Sequence, residues 1–336
     1  MPAPTLADYA SHSPYSDPGR HADLVAELGA DPASLRTAAC DAVVHYRSGA
    51  TFTADQVADI DRRWLASILD AAVERTGALA GSRTAEQVVA GCCRDHTLLT
   101  VGTLREHKVP ARSRVGFAGY FDPGFHADHV IVEYWDGERW RRFDPELGPD
   151  DPWGFDPADI PAGHGSPFVT AAEAWLAVRS GAADPATFGV TKDVPELCGR
   201  DVVRDYVLRE VAHRHRDELL LWDMWGPMLG LAGVPATLSG AVLEEAERSG
   251  ADLSSFPGVE ITSAEYDAIA DELAHLLVAA DAGDDVAAQE LGELYFADAR
   301  LRPGDRVLTL SPSGRSGLTD LATRTTDWRS SPSVFG

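Results

Sequence analysis

Three residues in this 336-residue chain have the types and spacing for nucleophilic catalysis. Cys93 stands at the first turn of a helical stretch (Leu98, Val101, Leu104) that Val109-Pro110 ends. A helix N-terminus favours thiolate over thiol and presents free N–H groups to a developing oxyanion. A buried, inert cysteine is the competing reading of any single thiol. His129 and Asp144 supply what the nucleophile needs next. His129-Val-Ile-Val-Glu-Tyr-Trp135 reads as a strand, and Asp136-Gly137 followed by Glu138-Arg-Trp-Arg-Arg-Phe-Asp144 reads as a type I′ hairpin. A two-residue Asp-Gly loop sets Trp135 opposite Glu138. The same ladder sets His129 opposite Asp144, with Cβ atoms about 5 Å apart on one face. A carboxylate so placed fixes the imidazole tautomer and steadies the imidazolium that forms when the ring accepts a proton. A chance surface ion pair is the competing reading here.

The elements that must position these groups follow from periodicity. Thr53-Ala-Asp-Gln56 is a capping box opening an amphipathic helix to about residue 76, with Val57, Ile60, Trp64, Ile68 and Ala71 at helical spacing. A second box, Thr84-Ala-Glu-Gln87, precedes a short apolar turn that ends at Gly91. Residues 112–121 and 129–135 read as strands. From about 150 onward helices are expected at 170–180, 200–221, 237–249, 262–281 and 284–298, with one late strand at 306–310 and a mobile Ser/Thr/Gly-rich tail over 311–336.

Taken together, Gly91-Cys-Cys93-Arg-Asp95, Val109-Pro-Ala-Arg112, His129-Val-Ile-Val-Glu133 and Trp140-Arg-Arg-Phe-Asp144-Pro145 resemble the core of the transglutaminase-like superfamily. In that family a helix-starting Cys lies in a G-x-C frame. A G-I/V-P-A-R turn, H-x-x-x-E on a strand and W-x-x-x-D-P on the next strand follow it. The resemblance covers about residues 84–147. It implies that Cys93 is the nucleophile, His129 the general base and acid, and Asp144 the orienting residue. It also implies an α+β fold, a papain-like, transglutaminase-type core in which the Cys-bearing helix packs on an antiparallel sheet, elaborated by C-terminal helices. Two positions depart from the pattern: Cys92 adds a competing thiol, and Ile131 stands where tryptophan is common. The implied reaction is acyl transfer through a thioester on Cys93, from an amide or thioester donor to a small amine. Hydrolysis of an amide by a peptidase or amidase is the alternative, and a non-catalytic binding protein on a retained fold is the rival from another class.

Further candidates surround this set. Gln87, six residues before Cys93, could supplement an oxyanion hole, although its capping role explains it better. Cys92 and Trp140 are candidates for the same hole or the pocket wall, and Trp222, Trp225 and Met228 for core or lining. Asp95 complements the helix dipole. His126, Asp128 and His129 lack the second cluster that a tetrahedral metal site needs, so neither metal nor other cofactor is expected. His213 and His215 point to different sides of a helix. With Arg204, Arg209, Arg214 and Arg216 they would form a solvated basic face, on which an acidic acyl carrier protein could dock.

The net charge of −24 excludes nucleic acid as a partner, since binding a polyanion requires a basic surplus. No apolar run approaches the ~20 residues of a membrane span. The N-terminus lacks the basic start and apolar run of a signal peptide, and four cysteines in so long a chain predict a reducing cytoplasm. Residues 301–336 hold five Arg and three Asp, so the acidity belongs to the rest, which weakly favours a cationic amine as acceptor. The expected layout is an N-terminal extension (1–30), a catalytic core (31–150), a helical region shaping the cleft (151–300) and the tail (301–336).

Overall fold

The computed structural model describes residues 3–148, 151–163, 165–229 and 261–330. Short helices open the chain: α1 (Leu6–Tyr9), α2 (Ala22–Ala26) and α3 (Pro32–Ala42). Asp31 caps α3 by accepting from the Ala33 and Ser34 N–H groups at 3.1 and 3.0 Å. The chain then runs through β1 (Val43–His45), α4 (Ala54–Asp59), α5 (Leu65–Thr76) and β2 (Val89–Gly91). The Thr53–Gln56 box caps α4 as expected, but the single helix anticipated to residue 76 is broken between Asp59 and Leu65. Arg63 in the break is held elsewhere, on Asp223 at 2.6 Å. Strands β1 and β2 pair in parallel, His45 beside Gly91, which brings the chain to the start of α6 (Cys93–Glu106).

Helix α6 is the centre of the fold: residues 93–105 are all buried. A helix hidden on every side is normally apolar, yet this one carries Arg94, Asp95, His96, three threonines and Arg105. Each finds partners. Thr100 and Thr103 donate to the carbonyls four residues back at 2.9 Å, and Arg105 pairs with Glu218 at 2.7 Å.

Four strands follow: β3 (Ala111–Asp122), β4 (Phe125–Trp135), β5 (Trp140–Phe143) and β6 (Phe168–Thr170). They form an antiparallel sheet in the order β5-β4-β3-β6, and β7 (Phe188–Gly189) lies parallel to β4. Helices α7 (Ala171–Arg179) and α8 (Arg200–Arg214) pack against β3, as α6 does. Glu133, the last residue of the His129–Glu133 motif, is a structural hub. It accepts from Arg112 at 2.8 Å and Arg142 at 3.0 Å. Burial would raise its carboxyl, but Arg114, Arg112 and Arg142 outweigh burial and hold it down at about 2.

After β8 (Asp223–Met224), α9 (Ser263–Asp281) and α10 (Asp285–Ala297) form an antiparallel pair. The expected helix at 237–249 lies outside the described residues. The expectation of a mobile tail is corrected through residue 330. There β9 (Arg306–Leu310), β10 (Arg315–Asp320) and β11 (Thr325–Ser330) join β8 in a four-stranded antiparallel sheet. Its interior is stitched by hydroxyls: Thr309, Thr319 and Thr326 bond in series at 2.8 and 2.9 Å. The fold is α+β. Among the described residues no helix is long and apolar enough to cross a membrane.

Candidate active site

The start of α6 is set by its flanks. Asp95 reaches back so that its Oδ2 accepts from the Cys92 N–H at 2.8 Å, closing the first turn. Gly91 must be glycine for this closure: a Cβ there would meet Asp95 Oδ2 at 2.7 Å and Val43 Cγ1 at 2.8 Å. One turn after Cys93, Thr97 donates to Val130 O at 2.8 Å, which ties the nucleophile's helix to the residue beside His129 on β4.

His129 Nε2 donates to Asp144 Oδ2 at 2.7 Å. The hairpin behind this pair departs from the expected register. It turns one residue later, around Gly137-Glu138, with Asp136 N–H bonded to Arg139 O and Gly137 at φ +104° in the first loop position. Trp135 therefore faces Trp140 and Val132 faces Phe143. Asp144, just past β5, is thus displaced by two positions from the expected partner. A shift of two preserves the face, so it still reaches His129. Asp144 is fully buried and fully used: Oδ2 also accepts from Tyr120 OH at 2.6 Å, and Oδ1 from Glu146 N–H at 3.0 Å. With its proton committed to Asp144, the Nε2–H tautomer leaves Nδ1 as the free base.

Cys93 and His129 line one cavity of 1010 Å³, whose wall includes Tyr46, Phe121, Tyr206 and Trp222. The Phe121 ring stands edge-on to His129 at 5.0 Å. Electrostatics in this cavity correct one expectation. The Cys93 thiol is pushed well above the usual range, first by its hydrogen bond with Cys92, then by burial and by the carboxylates of Glu146 and Asp128. The helix N-terminus alone does not give an acidic thiol here. Burial pulls His129 down, but Asp144 outweighs it and Glu146 and Asp128 add to the rise. These carboxylates favour an imidazolium and oppose a standing thiolate.

Residues 53–145 match the family model described as the transglutaminase-like superfamily. This segment carries all three residues of the Cys93–His129–Asp144 set. No curated protein matches the chain. A solved structure described as a candidate cysteine protease from Cytophaga hutchinsonii is similar at 16% identity and a TM-score of 0.30. The match covers 42% of each chain, so this chain spans less than half the length of that protein.

Other candidates fall differently around the matched segment. Cys92 lines the cavity beside Cys93, and Trp222 lines it too. Gln87 is outside the cavity lining and accepts from Thr84 N–H at 3.0 Å, a turn contact. Trp140 is likewise outside, with the Arg112 guanidinium 4.1 Å over its ring. Trp225 and Met228 are core. The solvated basic face is corrected outright. Arg204, Arg209, Arg214, His213 and His215 are buried, because carboxylates from distant elements neutralise most of the cations: Asp267 takes Arg204 at 2.9 Å and Asp281 takes Arg214 at 2.5 Å. Arg216, half-buried, bonds the Ser11 and His12 carbonyls. These groups therefore do not form the exposed basic face on which carrier docking was expected.

Sequence reasoning missed Tyr120, Glu146 and His96, and weighed Asp128 only as a metal ligand. Tyr120 and Glu146 brace Asp144, as above. Asp128 is buried on the cavity wall, bonded by the Tyr206 hydroxyl. His96 lies three residues beyond Cys93, where both its nitrogens face acceptors: Nδ1 is 3.0 Å from Cys92 O and from Glu146 Oε1, and Nε2 is 2.9 Å from Val43 O. A ring with acceptors on both nitrogens is an imidazolium. Burial opposes that charge, but the Glu146 carboxylate 3.0 Å away outweighs it and raises His96 to about 9. The only local signal was a histidine one turn into a helix whose N-terminus already bore the nucleophile.

Proposed function

We propose that the chain is a cysteine-dependent acyltransferase, joining an amide or thioester donor to a small amine through a thioester on Cys93. The observation that carries this reading is the His129–Asp144 bond, held on the wall of the cavity that also exposes Cys93. Because the thiol is held up, proton transfer accompanies attack. The Cys93 proton passes to His129 Nδ1 as sulfur adds to the carbonyl, and the positive end of the α6 dipole stabilises the oxyanion. Collapse breaks the bond to the leaving amine or thiol, which takes the proton from His129 and leaves the acyl group on sulfur. The acceptor amine then attacks, passes a proton to His129, and releases the amide as the Cys93 thiol reforms. Burial of Cys93 to 4% exposure disfavours bulk water at the thioester and supports an amine as acceptor.

The reading is tested by product mass with and without added amines. Amide that appears with wild type and disappears with Cys93→Ala supports it; free acid at every amine concentration would make the protein a hydrolase. Burial lifts both thiols, so faster iodoacetamide labelling of Cys93 than of Cys40, which donates to Pro145 O, would report proton transfer from Cys93 to His129.

A further inference from the structure

We propose that Arg209 is the anchor for a carboxylate on the substrate that enters the Cys93 cavity. The inference rests on the catalytic reading of that cavity, and it assigns the class of molecule that fills it.

Helix α8 presents Val202, Asp205, Tyr206 and Arg209 to the cavity, at the three- and four-residue spacings of a single helix face. Arg209 is only 4% exposed, and its guanidinium carbon lies 5.0 Å from the Tyr206 ring centre. Its hydrogen bonds are poor: Nη2 contacts Asp223 O at 3.5 Å and Met224 Sδ at 3.2 Å, and Nε is buried with no partner. No carboxylate among the described residues comes within 4.0 Å of its nitrogens. Every other arginine buried among the described residues has one, as Arg63 has Asp223 at 2.6 Å and Arg204 has Asp267 at 2.9 Å. The nearby Asp128 and Asp205 accept from the Tyr206 and Tyr266 hydroxyls. Burial raises both carboxyls, which weakens them as counter-charges.

A buried guanidinium without a counter-ion costs stability, and a fold that neutralises eight other buried arginines leaves this one open on the cavity that holds the nucleophile. An entering oxyanion removes that cost. A carboxylate fits better than a phosphate. Two donors of a planar fork match its two oxygens, whereas the further oxygens of a phosphate would face the apolar wall of Leu221, Trp222 and Met224.

The test uses hexanoate, hexanamide and inorganic phosphate as probes, on wild type and Arg209→Met. The readouts are the alkylation rate of Cys93 by iodoacetamide, mapped by mass, and the thermal midpoint. Hexanoate at ten times its Kd should slow alkylation of wild type about tenfold by occupancy. Hexanamide should not, and Arg209→Met should lose the effect. Without ligand, Arg209→Met should melt at or above the wild-type midpoint, because it removes an uncompensated charge. A merely structural arginine would destabilise the fold on replacement. A midpoint several degrees lower in the variant, protection by phosphate in place of hexanoate, or no protection at all would overturn the proposal. Were Cys93 no more reactive than Cys40 while hexanoate still raised the wild-type midpoint and not that of Arg209→Met, the catalytic reading would fall and the anchor would stand.

Discussion

The buried His96–Glu146 pair makes a quantitative prediction about stability and pH. In an unfolded chain a histidine titrates near 6.5; in the fold His96 is raised to about 9. The folded value lies above the unfolded one, so the stabilisation is fully present below about 6.5 and is lost as pH rises through about 9. At about 1.4 kcal/mol per unit, that interval is worth about 3 kcal/mol. Glu146 is held down at about 2, so it stays ionised across this window. His96→Gln keeps a donor for one carbonyl and removes the charge. Urea unfolding of both proteins at pH 6 and pH 9.5 should show the variant less stable at pH 6 by about 3 kcal/mol more than at pH 9.5. Other titrations are shared by the two proteins and cancel to first order. A stability difference that is the same at both pH values would refute the imidazolium assignment.

Three further outcomes follow from the same geometry. Activity should rise with pH as His129 becomes neutral, with the midpoint of that rise above 6.5 because Asp144 outweighs burial and raises the ring; Asp144→Asn removes the main support against burial and should move the midpoint down, read from the kcat/KM profile. Cys92→Ala removes the first cause holding up the Cys93 thiol, so alkylation of Cys93 at pH 7 should accelerate, and a slower rate would mean that Cys92 activates its neighbour. Gly91→Ala forces a methyl group against Asp95 and Val43, so the variant should lose roughly 1–3 kcal/mol in urea unfolding, as overpacked cores do. A neutral result would show that the first turn of α6 relaxes freely.

The triad was legible in the sequence for a reason that outlasts the error in the turn. Placing the loop at Asp136-Gly137 instead of Gly137-Glu138 shifts the ladder by two, and strand side chains alternate with period two. His129 and Asp144 therefore remained on one face although they are not directly opposite. The start of the helix behind Thr53–Gln56 was legible too, because a capping box acts within four residues of chain. What could not be read were charges whose partners lie far away in sequence. Helix α8 carries arginines and histidines on several sides, which suggests solvent, but Asp267 and Asp281 come back from α9 to neutralise Arg204 and Arg214. Strands β10 and β11 were hidden because Ser, Thr and Gly carry little apolar alternation, and hydroxyl chains replace it.

Seen this way, a net charge of −24 says little about any one face of the protein. Many of the acidic groups point inward, spent on arginines beneath the sheet and along α8. The unequal distribution of that pairing is what distinguishes the cavity. Glu133 is shared by several arginines and serves only the fold, whereas Arg209 has no carboxylate partner within ion-pair reach among the described residues. Asp128, a few ångströms of chain from His129, has a single hydroxyl donor. A fold that satisfies its buried charges elsewhere leaves opposite signs underused around the nucleophile, on β4 and on α8. Under the proposal above α8 supplies the selecting group, since it lines the cavity with Val202, Asp205, Tyr206 and Arg209.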